Sequence, residues 1–110
     1  MATGAASPSA LPYVAWSTAS LALIPAELWE GVYASMQALK GHIQEYPGCQ
    51  RFEAFIHLEE DGAVRVHAYT TWDTPEQRDV FLERGYTLER MLLDVAEIVA
   101  EPTRVMEKVF

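Results

Sequence analysis

One cysteine, three histidines and eight basic side chains are what this chain has least of, and each scarcity excludes something. A lone Cys49 cannot close an intramolecular disulfide, and its isolation fits a reducing cytoplasm. Eight Lys and Arg against sixteen Asp and Glu leave a formal charge of -8. Such a field repels polyanions, so neither nucleic acid nor an anionic membrane surface is an expected partner. No apolar run approaches the roughly 18 residues that a spanning helix requires, and no basic segment followed by an apolar stretch marks a secretory leader. A Gly-rich phosphate loop, a Cys-x-x-Cys pair and a Ser/His/Asp order are missing too, and Cys49 follows a turn with no predicted base beside it to activate a thiolate.

What is present is apolar: half of the 110 residues, enough for the modest core of one domain. Residues 1–11, "MATGAASPSAL", are small and uncharged and read as a disordered tail, leaving 12–110 as the folded unit. "YVAWSTASLAL", Tyr13 to Leu23, has the length and β-branched content of a strand despite poor alternation. Pro25 then sits where a first helical residue belongs, and Leu28, Val32, Met36, Leu39 and Ile43 follow as one face of an amphipathic helix, widened by Trp29 and Tyr33. The helix should stop before "YPGC", where Pro47-Gly48 favours a type II turn.

"CQRFEAFIHLEE" and "AVRVHAYTTWD" read as a hairpin joined at Asp61-Gly62. A two-residue turn would pair His57 with Val66 and mix polar with apolar side chains on both faces. A three-residue loop, Glu60-Asp61-Gly62 with Gly62 left-handed, instead places Phe52, Ala54, Ile56 and Leu58 on one face with Val64, Val66, Ala68, Thr70 and Trp72. Arg51, Glu53, Phe55 and His57 then share the other face with Arg65, His67, Tyr69 and Thr71. A half-buried sheet selects the register that segregates its apolar set, which favours the second. Thr74 suits an N-cap, Pro75 the first helical position, and Gln77 completes a capping box. Val80 and Phe81 are expected to face inward, Gly85 to stop the helix, and Thr87 to cap a further one bearing Leu88, Met91, Leu92 and Val95. After Pro102, "TRVMEKVF" reads as a last strand.

The resulting order, strand, helix, strand, strand, broken helix, strand, is that of an α+β, ferredoxin-like split βαβ fold: one antiparallel sheet with helices on one face. The other face, with Phe55, Tyr69, His57 and His67 among charges, is too aromatic for an ordinary solvated surface. Covering it with the same sheet of a second copy predicts a two-fold homodimer, a dimeric α/β barrel.

The stretches "YPGCQRFEAF", "RVHAYTTWDTPEQRDVFL" and "PTRVMEKVF" together resemble the antibiotic biosynthesis monooxygenase family of dimeric α/β barrels, over about residues 13 to 110. The resemblance implies small-molecule enzymes that oxidise electron-rich phenolic or anthrone-type compounds with molecular oxygen and no cofactor, in a pocket between sheet and helices. It extends to haem-degrading enzymes, quinol monooxygenases and isomerases on the same scaffold. Two departures bear on function. The cofactor-free oxygenases place an asparagine four residues before the tryptophan, where this chain has Ala68. Haem-degrading relatives carry an iron-ligating histidine on the helix after the tryptophan, and residues 74 to 97 contain none, which argues against haem degradation.

Each candidate residue has a plain reading beside a functional one. Trp72 is an aromatic plug where sheet meets helix, or a pocket wall with its N–H toward substrate; Phe52, Ala68 and Thr70 share its face and would line the same pocket. His67 and His57 are diagonal neighbours on the other face, too few for a zinc site unless Glu53 or Glu59 joins them. Hydrogen bonding across the dimer interface is their simplest use, and proton transfer from a phenol the catalytic one. Tyr69 should lie opposite Glu53 as a hydrogen-bonded pair, with Arg51 and Arg65 neutralising Glu53 and Glu59. His42 reads as exposed, Tyr86 as a hydroxyl at the pocket mouth, and Arg78 as a charge at its rim. The catalytic set is then His67, Tyr69 and Tyr86, and the substrate-binding set Trp72, Phe52, Ala68, Thr70 and Arg78, with no metal or other cofactor. The expected activity is cofactor-independent monooxygenation of a polyketide-like aromatic held in a dry cavity; a non-oxidative cyclase or isomerase and a non-catalytic binding dimer are the alternatives.

Overall fold

The computed structural model describes residues 12–110; the tail expected over residues 1–11 lies outside them. Strand β1 (Ala15–Ile24) runs between β3 (Val64–Trp72) on one side and two short strands, β4 (Val99–Ala100) and β5 (Arg104–Lys108), on the other; β2 (Cys49–Leu58) forms the outer edge beside β3. All pairings are antiparallel. With α1 (Trp29–Gln44), α2 (Pro75–Arg84) and the single turn α3 (Leu88–Met91), this is the ferredoxin-like α+β fold. Among the described residues no helix is long and apolar enough to cross a membrane.

The hairpin has the register that segregates its apolar residues: Phe52 pairs with Thr70, Glu53 with Tyr69 and His57 with Arg65. Gly62 adopts φ 89°, its N–H donates to the Glu59 carbonyl (3.0 Å), and the Asp61 carboxylate accepts from Ala63 N (2.9 Å). At the far end the ladder shifts by one residue between Cys49 and Arg51, a bulge from which Gln50 donates to Asp73 (2.7 Å).

The chain departs from expectation at several places, among them α3, which ends at Met91 and leaves Leu92 and Val95 beyond it. Pro25 is extended (φ -56°, ψ 145°) and precedes a 3₁₀ turn, Ala26–Leu28, so α1 itself starts at Trp29; of the expected stripe, Val32, Met36, Leu39 and Ile43 are buried and Leu28 is half-buried. Val80 is exposed while its neighbour Phe81 is buried, because successive helical residues point about 100° apart and a ten-residue helix with one buried edge cannot turn both inward. The capping box is half-made: the Thr74 hydroxyl accepts from Gln77 N (3.1 Å), but the Gln77 carboxamide lies over Gly48, where it fills the space of a Cβ, and its buried Oε1 has no hydrogen-bond partner. The closing strand expected after Pro102 is β5, but a short strand not expected, β4, precedes it across Glu101-Pro102-Thr103, a proline without an N–H separating the two ladders.

The core lies between the sheet's inner face and the helices. β3 alternates strictly between buried and half-buried residues, and one cluster gathers Ile24, Val64, Val66, Met36, Leu88 and Leu92. A second joins Leu39, Ile43, Trp72 and Phe81. β2 breaks the pattern: its inner-face Ala54, Ile56 and Leu58 are exposed, Ala54 and Ile56 lining an open groove between β2 and α1.

Candidate functional site

The inner-face side chains of the central strands do not pack solidly against the helices. Thr18 and Ser20 of β1, Ala68 and Thr70 of β3, Phe52 of β2 and Tyr86 after α2 line a narrow cavity of about 10 Å³, closed above by Met36, Leu39 and Ile43 of α1; by the usual measure this is room for about one water molecule. It is flanked by two open grooves. One, about 490 Å³, lies between α1 and β2 and shares Met36 and Phe52 with the cavity, its far wall formed by Trp29 and Tyr33. The other, about 410 Å³, shares Leu39, Ile43 and Tyr86 and adds His42 and Arg84. Both have the size of small-molecule sites.

Polar chemistry inside is carried by hydroxyls. Thr18 faces Thr70 across the β1–β3 ladder, their hydroxyls are hydrogen-bonded, and the Trp72 indole N–H donates to the Thr70 hydroxyl (2.8 Å). All three side chains are buried, Trp72 completely. The Trp72 ring stacks on Phe81 with centroids 5.1 Å apart, and Tyr46 meets both edge-on. Ser20 bonds the Thr103 hydroxyl (3.2 Å). Tyr86, 63 % exposed, is the one titratable side chain on the cavity wall.

The structure therefore gathers Phe52, Ala68, Thr70 and Tyr86 from the expected set and separates the others. Trp72 sits beside the cavity as a plug, with its N–H turned to Thr70 rather than outward. His67 and Tyr69 lie on the opposite face, since odd-numbered residues of β3 point away from the helices; they border a shallow depression with Arg104 and Glu101. Arg78 is not at a pocket rim: it is buried, and its guanidinium donates to the Met106 carbonyl (3.1 Å) and to Glu107 (3.0 Å), fastening β5.

On the outer face Glu53 stands opposite Tyr69 but lies near Arg51 (3.8 Å), while the Tyr69 ring packs edge-on against Phe55, centroids 6.0 Å apart. His57 bonds Glu59 (3.0 Å) rather than His67, and Arg65 holds the same carboxylate through two nitrogens (2.8 and 3.1 Å). The Arg65 hydrogen bonds first, and His57 second, hold the Glu59 carboxyl below its ordinary range. Burial pushes the Cys49 thiol up, offset in part by a backbone hydrogen bond at Arg51. Thr18 and Ser20 were missed by the sequence reading. Their signal is the alternation Thr18, Ser20, Ala22, Ile24, which assigns the two hydroxyls to the buried face but says nothing of their partners.

No family model matches the chain, and no curated protein matches it. Solved structures do. One is a protein of Nitrosomonas europaea named provisionally as an antibiotic biosynthesis monooxygenase, similar over 91% of this chain and 93% of its own at TM-score 0.63 and 19% identity. Another, from Bacteroides thetaiotaomicron, is a protein of unknown function described as a possible oxidoreductase, with TM-score 0.61, 14% identity, and 86% and 98% of the two chains covered. A Mycobacterium tuberculosis protein matches at TM-score 0.57 and 12% identity over 84% and 91%. At these identities the likeness is one of fold alone, an antiparallel sheet with helices on one face.

Proposed function

We propose that the protein is a cofactor-independent monooxygenase acting on an electron-rich aromatic small molecule held between α1 and the sheet. The observation that carries this reading is the hydroxyl-lined cavity opening beside an aromatic-walled groove of about 490 Å³, on a fold shared with a provisionally named monooxygenase. The chemistry asks little of the protein. An anthrone-type substrate that loses a proton becomes an anion electron-rich enough to reduce oxygen directly. One oxygen atom then ends as the new ring carbonyl and the other leaves as water, so no external reductant enters the balance. The protein's part is to orient the ring, exclude water and favour the anion. Tyr86, at the junction of cavity and second groove, is the side chain positioned to pass the proton outward.

The same reading includes a homodimer. Phe55 of β2 and Met106 of β5 stand exposed on the outer face of the sheet, apolar surface that the same face of a second copy would cover.

The test is oxygen uptake with anthrone as probe. One oxygen consumed per anthrone, with label from ¹⁸O₂ in the product carbonyl, supports the reading. Turnover that proceeds unchanged without oxygen removes it in favour of a cyclase or isomerase, and binding without turnover in favour of a sequestering protein.

A further inference from the structure

The Trp72 N–H and the Thr18 and Thr70 hydroxyls carry three protons between them. One is donated by Trp72 to the Thr70 oxygen and one is used in the Thr18–Thr70 bond. The third has no acceptor among the described residues, whichever hydroxyl bears it. Both hydroxyls line the cavity, at 2 % and 4 % exposure, and a buried donor without an acceptor is costly. Ala68, next along the same face, contributes only a methyl group, and Ser20, the other strand hydroxyl on the cavity wall, is bonded to Thr103 and has no indole N–H behind it.

We infer that the Thr18–Thr70 hydroxyl pair, backed by the Trp72 N–H, is the anchor for a ligand oxygen, and that it selects an aromatic ligand in its phenolate or enolate form. With Thr70 donating to Thr18, the three groups form one chain of donors polarised toward the cavity, each bond strengthening the next. An anionic oxygen gains more from such a donor than a neutral ether or carbonyl does. The cavity takes the oxygen alone; the ring lies in the groove that shares Met36 and Phe52 with it. Thr18 and Thr70 are thereby ligand-binding residues that set specificity and bias the ligand toward deprotonation. This rests on the proposed use of the cavity as a ligand site, but not on the ligand being oxidised.

The experiment uses two probes that differ by one methyl group, 4-nitrophenol, whose anion absorbs visible light, and 4-nitroanisole, which cannot ionise. Thr18→Val replaces the hydroxyl with a methyl group and leaves Trp72 bonded to Thr70. It should weaken binding of the phenolate about tenfold and raise the bound phenol's pKa by about one unit, as expected for loss of one hydrogen bond to a charged group. Nitroanisole binding should stay within about twofold, hydrogen bonds from neutral donors to such an ether being weak. Thr18→Ser should restore phenolate binding, and Thr18→Ala serves should the valine variant not fold. Equal phenolate binding in wild type and variants overturns the inference and leaves the oxygenase reading intact, as does an equal loss for both probes. Failure of the wild type to bind either probe overturns the ligand site and the inference together. No oxygen uptake combined with a Thr18-dependent phenolate preference removes only the oxygenase reading.

Discussion

Thr70 holds two bonds at once, and its neighbours make it hard to replace. Thr70→Val keeps the shape but leaves the Trp72 N–H buried and unpaired, and should destabilise the fold by about 1–3 kcal/mol, read from the urea unfolding midpoint. Thr18→Val, which orphans no indole, should be the milder of the two in the same measurement. Glu59 supplies a pH effect of known sign. Its lowered pKa means that the folded chain releases this proton more readily than the unfolded one. Its contribution is therefore complete above the ordinary value of 4.5 and is lost as the pH falls through the lowered one. Glu59→Gln should accordingly lower the unfolding midpoint at neutral pH, where that contribution is complete, and flatten its fall on acidification, so that variant and wild type converge at low pH. Cys49 should react slowly with iodoacetamide at neutral pH, its burial keeping it a thiol. At this scale the sequence was a partial guide. The type and face of Phe52, Ala68 and Thr70 followed from alternation, while the inward role offered for Val80 and the pocket role offered for Arg78 had no such support. Nothing local reveals that Arg78 reaches a carbonyl 28 residues away.

Elements with a strong local signal behave as their chemistry requires. The register of the β2–β3 hairpin is set by Asp61-Gly62 and by an apolar set that can segregate only one way. The ends of α2 are set by Thr74, Pro75 and Gly85. What local signals leave open is decided by neighbours, as in the capping box, where Gln77 abandons its reciprocal bond to cover Gly48. Gly48 holds φ 84° against that carboxamide, so Gly48→Ala meets both backbone strain and a collision and should lose about 1–3 kcal/mol. Adding Gln77→Ala should recover part of that loss, a coupling that a double-mutant cycle measures. Beyond the ladder to β1, the β4–β5 segment is held at Thr103 by Ser20 and Glu89 and at β5 by Arg78. Arg78→Met should raise amide exchange selectively in Arg104–Lys108 and leave β3 protected.

For the whole molecule, the chain order of strands and helices pointed to the fold because an antiparallel sheet with helices on one side admits few right-handed, uncrossed connections. The cavity was not legible. It arises where β1, β3 and α1 converge, and the β1–β3 pairing joins segments some fifty residues apart with no turn between them to fix their register. Assembly belongs to this scale as well. In sedimentation the protein should run as a two-chain species, and a charge placed on the exposed sheet surface, as in Phe55→Lys, should shift it toward one chain while leaving the monomer folded.

The helix that roofs the cavity meets the sheet only through side chains, with open space along both of its flanks. Tilting it outward would break no ladder hydrogen bond, whereas parting any two strands would break a row of them. The small chamber thus has a hydrogen-bonded floor and a roof held by packing alone, so any change in its width would fall on the roof while the floor, with its paired threonines, keeps its shape.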